Sequence, residues 1–103
     1  MQSFIDIFKR KITLTEERRK HILYRPEMFN QESKIKETLS DPELIKRSVS
    51  DKDVVIYYKH YPTTPVTSKH LSIIVKISGK ENFIISAYFT DRIKKGELVW
   101  KKN

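Results

Sequence analysis

Three side chains that can handle a phosphate group recur at helical spacing near the N-terminus. Arg18, His21 and Arg25 are three and four residues apart, which places them on one stripe of an α-helix. An imidazole has an ordinary pKa of about 6.5 and exchanges a proton near neutral pH, while flanking guanidinium groups can hold a phosphodiester beside it. The stripe therefore indicates an acid-base site for phosphate chemistry. The alternative is a surface histidine without a catalytic role, since the chain also has His60 and His70.

A second polar set follows from the alternation of two predicted strands, Lys69 to Ser78 and Asn82 to Thr90. Their apolar sets are Leu71, Ile73, Val75 and Ile77 in the first strand and Phe83, Ile85, Ala87 and Phe89 in the second. If these sets face the core, alternation leaves Lys76, Ser86, Tyr88 and Thr90 on the open face. The preceding strand would add Tyr58, or its neighbours Tyr57 and Lys59, depending on register. Such a face can bind phosphate and stack nucleobases, although an ordinary solvated sheet face has the same composition.

Other kinds of site find no support in the composition. The chain has no cysteine and only three scattered histidines, so it lacks the spacing of a zinc site, and its two glycines cannot form a phosphate-cradling loop. No clustered acidic residues suggest a two-metal nuclease. A phosphodiester enzyme on this chain is therefore expected to work without a metal or another cofactor.

The positive charge is concentrated in the second half of the chain. The net charge is +8, and residues 1 to 53 contribute +2 whereas residues 54 to 103 contribute +6. A region of one sign attracts anions and speeds their encounter, which is typical of nucleic-acid binders. We therefore expect a nucleic-acid ligand, RNA before DNA. The alternative is that the lysines only keep a small protein soluble.

The first half of the chain is predicted to be mainly helical. Residues 4 to 14 suggest two short strands, or a strand and an extended arm. Thr15 is a suitable N-cap for a helix from Glu16 to Tyr24, and a second helix is expected from Glu32 to Leu39. The segment Asp41-Pro42-Glu43 predicts a short third helix carrying Leu44 and Ile45.

The second half is predicted to form strands. Val54 to Tyr61 is rich in β-branched and aromatic residues, PTTPVTS connects it to the two strands above, and ELVWKK is a last short strand. The sequence thus predicts one α+β domain over residues 1 to 103, with N-terminal helices on one face of a three- to five-stranded antiparallel sheet.

Four segments resemble a known nuclease family. They are LTEERRKHILYRPEM, IKETLSDPELIKRS, YYK and SAYFTDRIKKGELVW. They are similar to the phage and mobile-element nucleases of the barnase, EndoU, colicin and RelE-like group, in particular the nuclease 2 type. The likeness extends over about Ile12 to Lys101. The sequence departs from the family at Tyr24, where a histidine is typical, so a second histidine at the helix end is absent.

The resemblance implies a compact sheet with N-terminal helices and metal-free cleavage of RNA by its 2′-hydroxyl. The expected catalytic residues are His21, Lys76, Tyr88 and Thr90. The expected substrate-binding residues are Arg18, Arg25, Arg47, Tyr58, Lys59 and Ser86. In this scheme His21 acts as general acid or base, while Lys76 with Arg18 or Arg47 holds the phosphate.

The expected partners are an RNA substrate and a neutralising antitoxin or immunity protein. Such a nuclease would serve as a toxin of a mobile element or of a toxin-antitoxin system. The absence of cysteine, of a signal-peptide pattern and of a long apolar segment favours the cytoplasm and no membrane association. Two other classes stay open, a non-catalytic nucleic-acid-binding module and an interaction protein of a mobile element.

Overall fold

The described residues of the computed structural model, 1–63 and 69–103, form one continuous β-sheet with helices against it. The strands are β1 (Gln2–Ile5), β2 (Lys11–Leu14), β3 (Leu44–Arg47), β4 (Val54–Tyr61), β5 (Lys69–Ile77), β6 (Asn82–Thr90) and β7 (Leu98–Lys101). The helices are α1 (Glu16–Leu23), a short 3-10 helix (Pro26–Met28) and α2 (Glu32–Ser40). The predicted connection PTTPVTS falls largely on residues 64–68, outside the described residues.

The strands are ordered β1-β2-β6-β5-β4-β3-β7 in the sheet. Neighbouring strands are antiparallel except for β2 and β6, which are parallel where Thr13 lies beside Phe83. The α+β class and the β4-β5-β6 meander are therefore confirmed, and residues 4 to 14 do contribute two short strands. The expected three to five antiparallel strands are wrong in number and in the direction of one pair. Local periodicity does not report which distant strands become neighbours, so this pairing is invisible in the sequence pattern.

The predicted third helix is wrong, because Leu44–Arg47 is strand β3. Ile45 is fully buried and pairs with Tyr57 of β4 on one side and with Trp100 of β7 on the other. Asp41, expected as a helix cap, instead binds the ammonium groups of two lysines. Pairing on both sides of β3 and burial of Ile45 outweigh the local capping signal, as tertiary contacts often do.

One face of the sheet, the core face, carries the hydrophobic core. The strands contribute Val55, Tyr57, Leu71, Ile73, Val75, Ile84, Ala87 and Phe89 to that core. Ile35 and Leu39 of α2 are buried with them, and α2 contacts β1, β4 and β5. The α1 helix contacts β6. Among the described residues, no helix has the length and apolar character needed to span a membrane.

We call the opposite face of the sheet the second face. A bulge in β6 determines which residues of that strand lie on it. Val75 pairs with Ile84 but Ile74 pairs with Ser86, so Ile85 has no partner in β5. The extra residue reverses the alternation on one side of the bulge. Ile84 is therefore in the core and Phe83 is on the second face, the opposite of the predicted arrangement for this end of the strand. Beyond the bulge the prediction holds, and the second face of β6 continues with Ser86, Tyr88 and Thr90.

The chain from β6 to β7 crosses the second face. β6 and β7 are separated by β5, β4 and β3, so the connection must pass over these strands. The backbone N–H of Lys94 donates to the hydroxyl of Tyr58 at 3.1 Å, and Tyr58 is only 1% exposed. We call residues 91–97 the crossing segment. It buries part of a face that the sequence predicted to be open.

A buried carboxylate joins the β1-β2 connection to the centre of the sheet. Asp6 is 2% exposed and accepts hydrogen bonds from the backbone N–H groups of Phe8 and Arg10, from Arg10 Nε and from the hydroxyl of Tyr57. Arg10 Nη2 also donates to the Tyr57 hydroxyl at 3.0 Å. Burial, followed by the hydrogen bond to Asp6, raises the pKa of Tyr57, so its hydroxyl remains a donor over the physiological range.

We expect Asp6→Ala to lower the free energy of unfolding by about 3 kcal/mol, because the buried Tyr57 hydroxyl and the partly buried Arg10 guanidinium lose their shared acceptor. Tyr57→Phe removes one donor and should cost about 1 kcal/mol. Urea unfolding followed by circular dichroism measures both changes. The exposed Asp53 provides a control, since Asp53→Ala should change stability by less than about 0.5 kcal/mol. Equal stabilities of Asp6→Ala and Asp53→Ala would contradict this assignment.

Candidate functional site

The predicted cationic stripe of α1 lies alongside β6. The hydroxyl of Thr15 accepts the backbone N–H of Arg18, and so caps the helix as predicted. Arg18 Nη1 donates to the carbonyl of Ile85 at 3.4 Å, and the guanidinium of Arg25 lies over the Tyr88 ring at 5.3 Å. Both arginines that flank His21 on its stripe thus contact β6. Arg25 lies beyond the end of α1, in extended backbone before the 3-10 helix, so α1 itself carries only Arg18 and His21 of the predicted stripe.

His21 itself is exposed. Within the described part of the chain its imidazole makes no hydrogen bond or ion pair. It is thus accessible to a ligand, and nothing in the described residues fixes its ring orientation. The structure brings Arg25 to Tyr88 and Arg18 to the backbone of Ile85, and the predicted roles of His21, Arg18 and Arg25 stay predictions.

A row of polar side chains extends across the second face from Tyr88. Tyr88 pairs with Ser72, and Ser72 pairs with Tyr58. The Ser72 hydroxyl donates to the carbonyl of Tyr88 at 3.2 Å. Thr90, the last residue of β6, is bonded to the crossing segment, because its hydroxyl accepts the N–H of Arg92 and donates to the carbonyl of Arg92. Hydroxyls and phenols therefore line this end of the sheet, with Ser86 one alternation before Tyr88.

Two histidines lie in the neighbouring row of the second face. His60 and His70 are paired across β4 and β5, with ring centroids 5.0 Å apart in an edge-to-face arrangement, and His70 is also paired with Thr90. Burial lowers the pKa of His70, the charge of His60 lowers it further, and Glu43 acts in the opposite direction. His70 therefore favours the neutral form, which can accept a proton. We refer to His60, His70, Tyr88 and Thr90, with the α1 stripe, as the Tyr88 site.

Sequence reasoning mentioned these two histidines but assigned them no role. The signal was present, because Tyr58 and His60 are two residues apart on one predicted strand, and His70 and Ser72 are two apart on the next. Alternation alone places the two members of each pair on the same face of their strand. What the sequence lacks is the register that sets His60 directly opposite His70.

The register also decides which neighbour of Tyr58 reaches the second face. Tyr57 is in the core and Lys59 shares its side of β4, so Tyr58 is the residue on the second face. Burial raises the pKa of Tyr58, and the hydrogen bond from the Lys94 backbone partly offsets the increase. Tyr58 therefore stays protonated beneath the crossing segment, and its hydroxyl is already occupied.

Three other predicted site residues lie apart from the Tyr88 site, each held by an acidic group or a carbonyl. Lys76 pairs with Phe83 at the other end of β6, about 20 Å from Thr90 at roughly 3.3 Å per residue. Its ammonium binds Asp51 at 2.8 Å, and this hydrogen bond raises its pKa. Arg47 donates to the carboxylate of Glu97 at 2.8 Å and to the carbonyl of Lys52 at 2.7 Å. The ammonium of Lys59 donates to the carbonyl of Asp41 at 2.9 Å. Their predicted roles stay predictions, and one compact site cannot contain all of them.

Among the described residues, no group of three histidine, aspartate or glutamate side chains is placed to hold a metal ion. What the Tyr88 site offers is imidazole, guanidinium, phenol and hydroxyl groups on one surface. These groups can bind a phosphate, stack on a base and exchange a proton.

Comparison with known proteins gave no match to a family model, to a curated protein or to a solved structure. The resemblance noted in the sequence therefore stays a prediction.

Proposed function

We propose that this chain is a metal-independent endoribonuclease that binds RNA at the Tyr88 site. The observation that carries the proposal is the guanidinium of Arg25 over the Tyr88 ring, four residues after the exposed His21 of α1. Stacking on an aromatic ring orients a guanidinium while its N–H groups remain available to a phosphate. The arrangement combines a phosphate-binding cation with a group that can transfer a proton.

The reaction needs two proton transfers and stabilisation of a charged phosphate. The ribose 2′-hydroxyl loses its proton and attacks the adjacent phosphorus, and the 5′-oxygen leaves with a proton, giving a 2′,3′-cyclic phosphate and a 5′-hydroxyl end. We assign one proton transfer to His21 and the phosphate contact to Arg25. The neutral imidazole of His70, beside Thr90, is a second group suited to accept a proton.

The proposal includes a role as a toxin with a neutralising partner. A ribonuclease that needs no cofactor is active wherever it meets RNA, so the cell that makes it requires a protein that blocks the site. An acidic partner would match the net charge of +8. The cations of α1 and the crossing segment are the surface that such a partner would have to cover.

A second candidate function is RNA binding without cleavage. The observation that favours it is the absence, among the described residues, of any group that orients the His21 ring. Catalytic bases are commonly held by a third side chain. The same surface would then bind RNA through its cations and aromatic rings without turnover.

We expect the purified protein to cleave a single-stranded RNA oligonucleotide in excess EDTA and to leave 2′,3′-cyclic phosphate ends. His21→Ala should reduce the rate by about 100-fold or more, because general acid-base groups contribute about that much. Gel separation measures the rate and mass spectrometry identifies the ends. Lys101→Gln is the control, since Lys101 lies on β7 at the far edge of the sheet. No cleavage, or equal cleavage by His21→Ala prepared in parallel, would contradict the histidine mechanism.

Binding can be measured separately from cleavage with an oligonucleotide that carries a 2′-deoxyribose at each position. We expect Arg25→Gln to weaken binding about tenfold, because a charge-assisted contact of about 1.5 kcal/mol is lost. His21→Ala should bind within about twofold of the parent. If Arg25→Gln and Lys101→Gln have the same affinity, Arg25 is not a phosphate contact. If Arg25→Gln binds the oligonucleotide more weakly but the parent protein does not cleave RNA, the second candidate function is supported.

A further inference from the structure

A cavity of about 620 Å³ lies between β2 and β6, away from the Tyr88 site. Its lining includes Arg10, Lys11, Thr13, Lys80, Asn82 and Phe83. Thr13 and Phe83 are paired in the sheet, and the register places Phe83 on the second face. Phe83 is five residues before Tyr88, which corresponds to about 15 Å along the strand. The cavity is therefore a separate location on the same side of the sheet.

The charges around this cavity favour an anion. Lys11 and Lys80 form no ion pair within the described ranges, and both line the cavity. The third cation, Arg10, is already bound to Asp6 at 2.9 Å, and Glu81 is the acidic residue in the lining. The two free ammonium groups outweigh the single carboxylate. A phosphate group would gain a charge-assisted hydrogen bond from each lysine.

The aromatic part of the lining suits a planar group. The Phe83 side chain is partly exposed and offers a ring against which a base can stack. Asn82, the residue before Phe83, pairs with Ile77, so its side chain lies on the core face and is not part of the surface that a base on Phe83 would contact. The volume is within the range of small-ligand sites.

We propose that this cavity binds a nucleotide, with its phosphate at Lys11 and Lys80 and its base against Phe83. The site goes beyond the proposed function, because none of its residues belongs to the Tyr88 site and it requires no cleavage. The nucleotide can be a free nucleoside monophosphate or one unit of an RNA strand, which present the same base and phosphate chemistry.

Isothermal titration calorimetry tests the site with the four 5′-nucleoside monophosphates, inorganic phosphate and a short 2′-deoxy oligonucleotide. We expect Lys80→Gln and Phe83→Leu each to weaken binding about tenfold, through loss of a phosphate contact and of base stacking respectively. Phe83→Leu keeps an apolar side chain in the sheet. Lys101→Gln should have no effect, and circular dichroism checks that each variant is folded.

The outcomes separate the two sources of the nucleotide. Saturable binding of free monophosphates, weakened by both variants, supports a site for free nucleotides, whereas weakened binding of the oligonucleotide alone supports a site for a unit of a strand. Inorganic phosphate binding as tightly as the nucleotides, or equal affinities for parent, Lys80→Gln and Phe83→Leu, would overturn the proposal. Monophosphate binding should be unchanged in Arg25→Gln, so failure at the Tyr88 site and failure at this cavity are distinguishable.

Discussion

The buried carboxylate of Asp6 fixes the position of the elements that carry the site. It holds the turn after β1 against Tyr57 in the middle of β4, and the chain then enters β2. β2 lies beside β6 for only a short distance, and α1 begins directly after β2 at Glu16. The location of the α1 stripe next to Tyr88 therefore depends on how β2 is held, although Asp6 is remote from the stripe.

The bulge at Ile85 connects this arrangement to the second face. It places Phe83, Ser86, Tyr88 and Thr90 on one side of β6 in spite of their uneven spacing. Among the described residues, β6 pairs with β2 at Phe83. Two residues further along β6, the carbonyl of Ile85 accepts a hydrogen bond from Arg18 of α1. At the bulge, the contact of β6 along that edge thus changes from pairing with strand β2 to a hydrogen bond from helix α1.

The sequence predicted the elements with clear local signals and failed where distant pairing decides. Periodicity and composition located β4 and β6 to the residue, and the N-cap at Thr15 located α1. The capping signal at Asp41 gave a helix where β3 lies between two strands, and simple alternation could not show an unpaired Ile85. The same limit applies to the site. Helical spacing grouped Arg18, His21 and Arg25, but alternation joined Lys76 to Thr90 although about 20 Å of strand separates them.

The fold also changes the meaning of the charge distribution. The positive excess of residues 54 to 103 suggested a basic strand half, yet acidic residues from the first half neutralise part of it. Asp41 binds Lys59 and Lys102, and Asp51 binds Lys76. The cations that line the cavity between β2 and β6 or flank His21 come from both halves, Lys11, Arg18 and Arg25 from the first and Lys80 from the second. The positive surface of this protein is therefore determined by which cations lack an acidic neighbour in the fold, and the sum of charges along either half of the chain does not locate it.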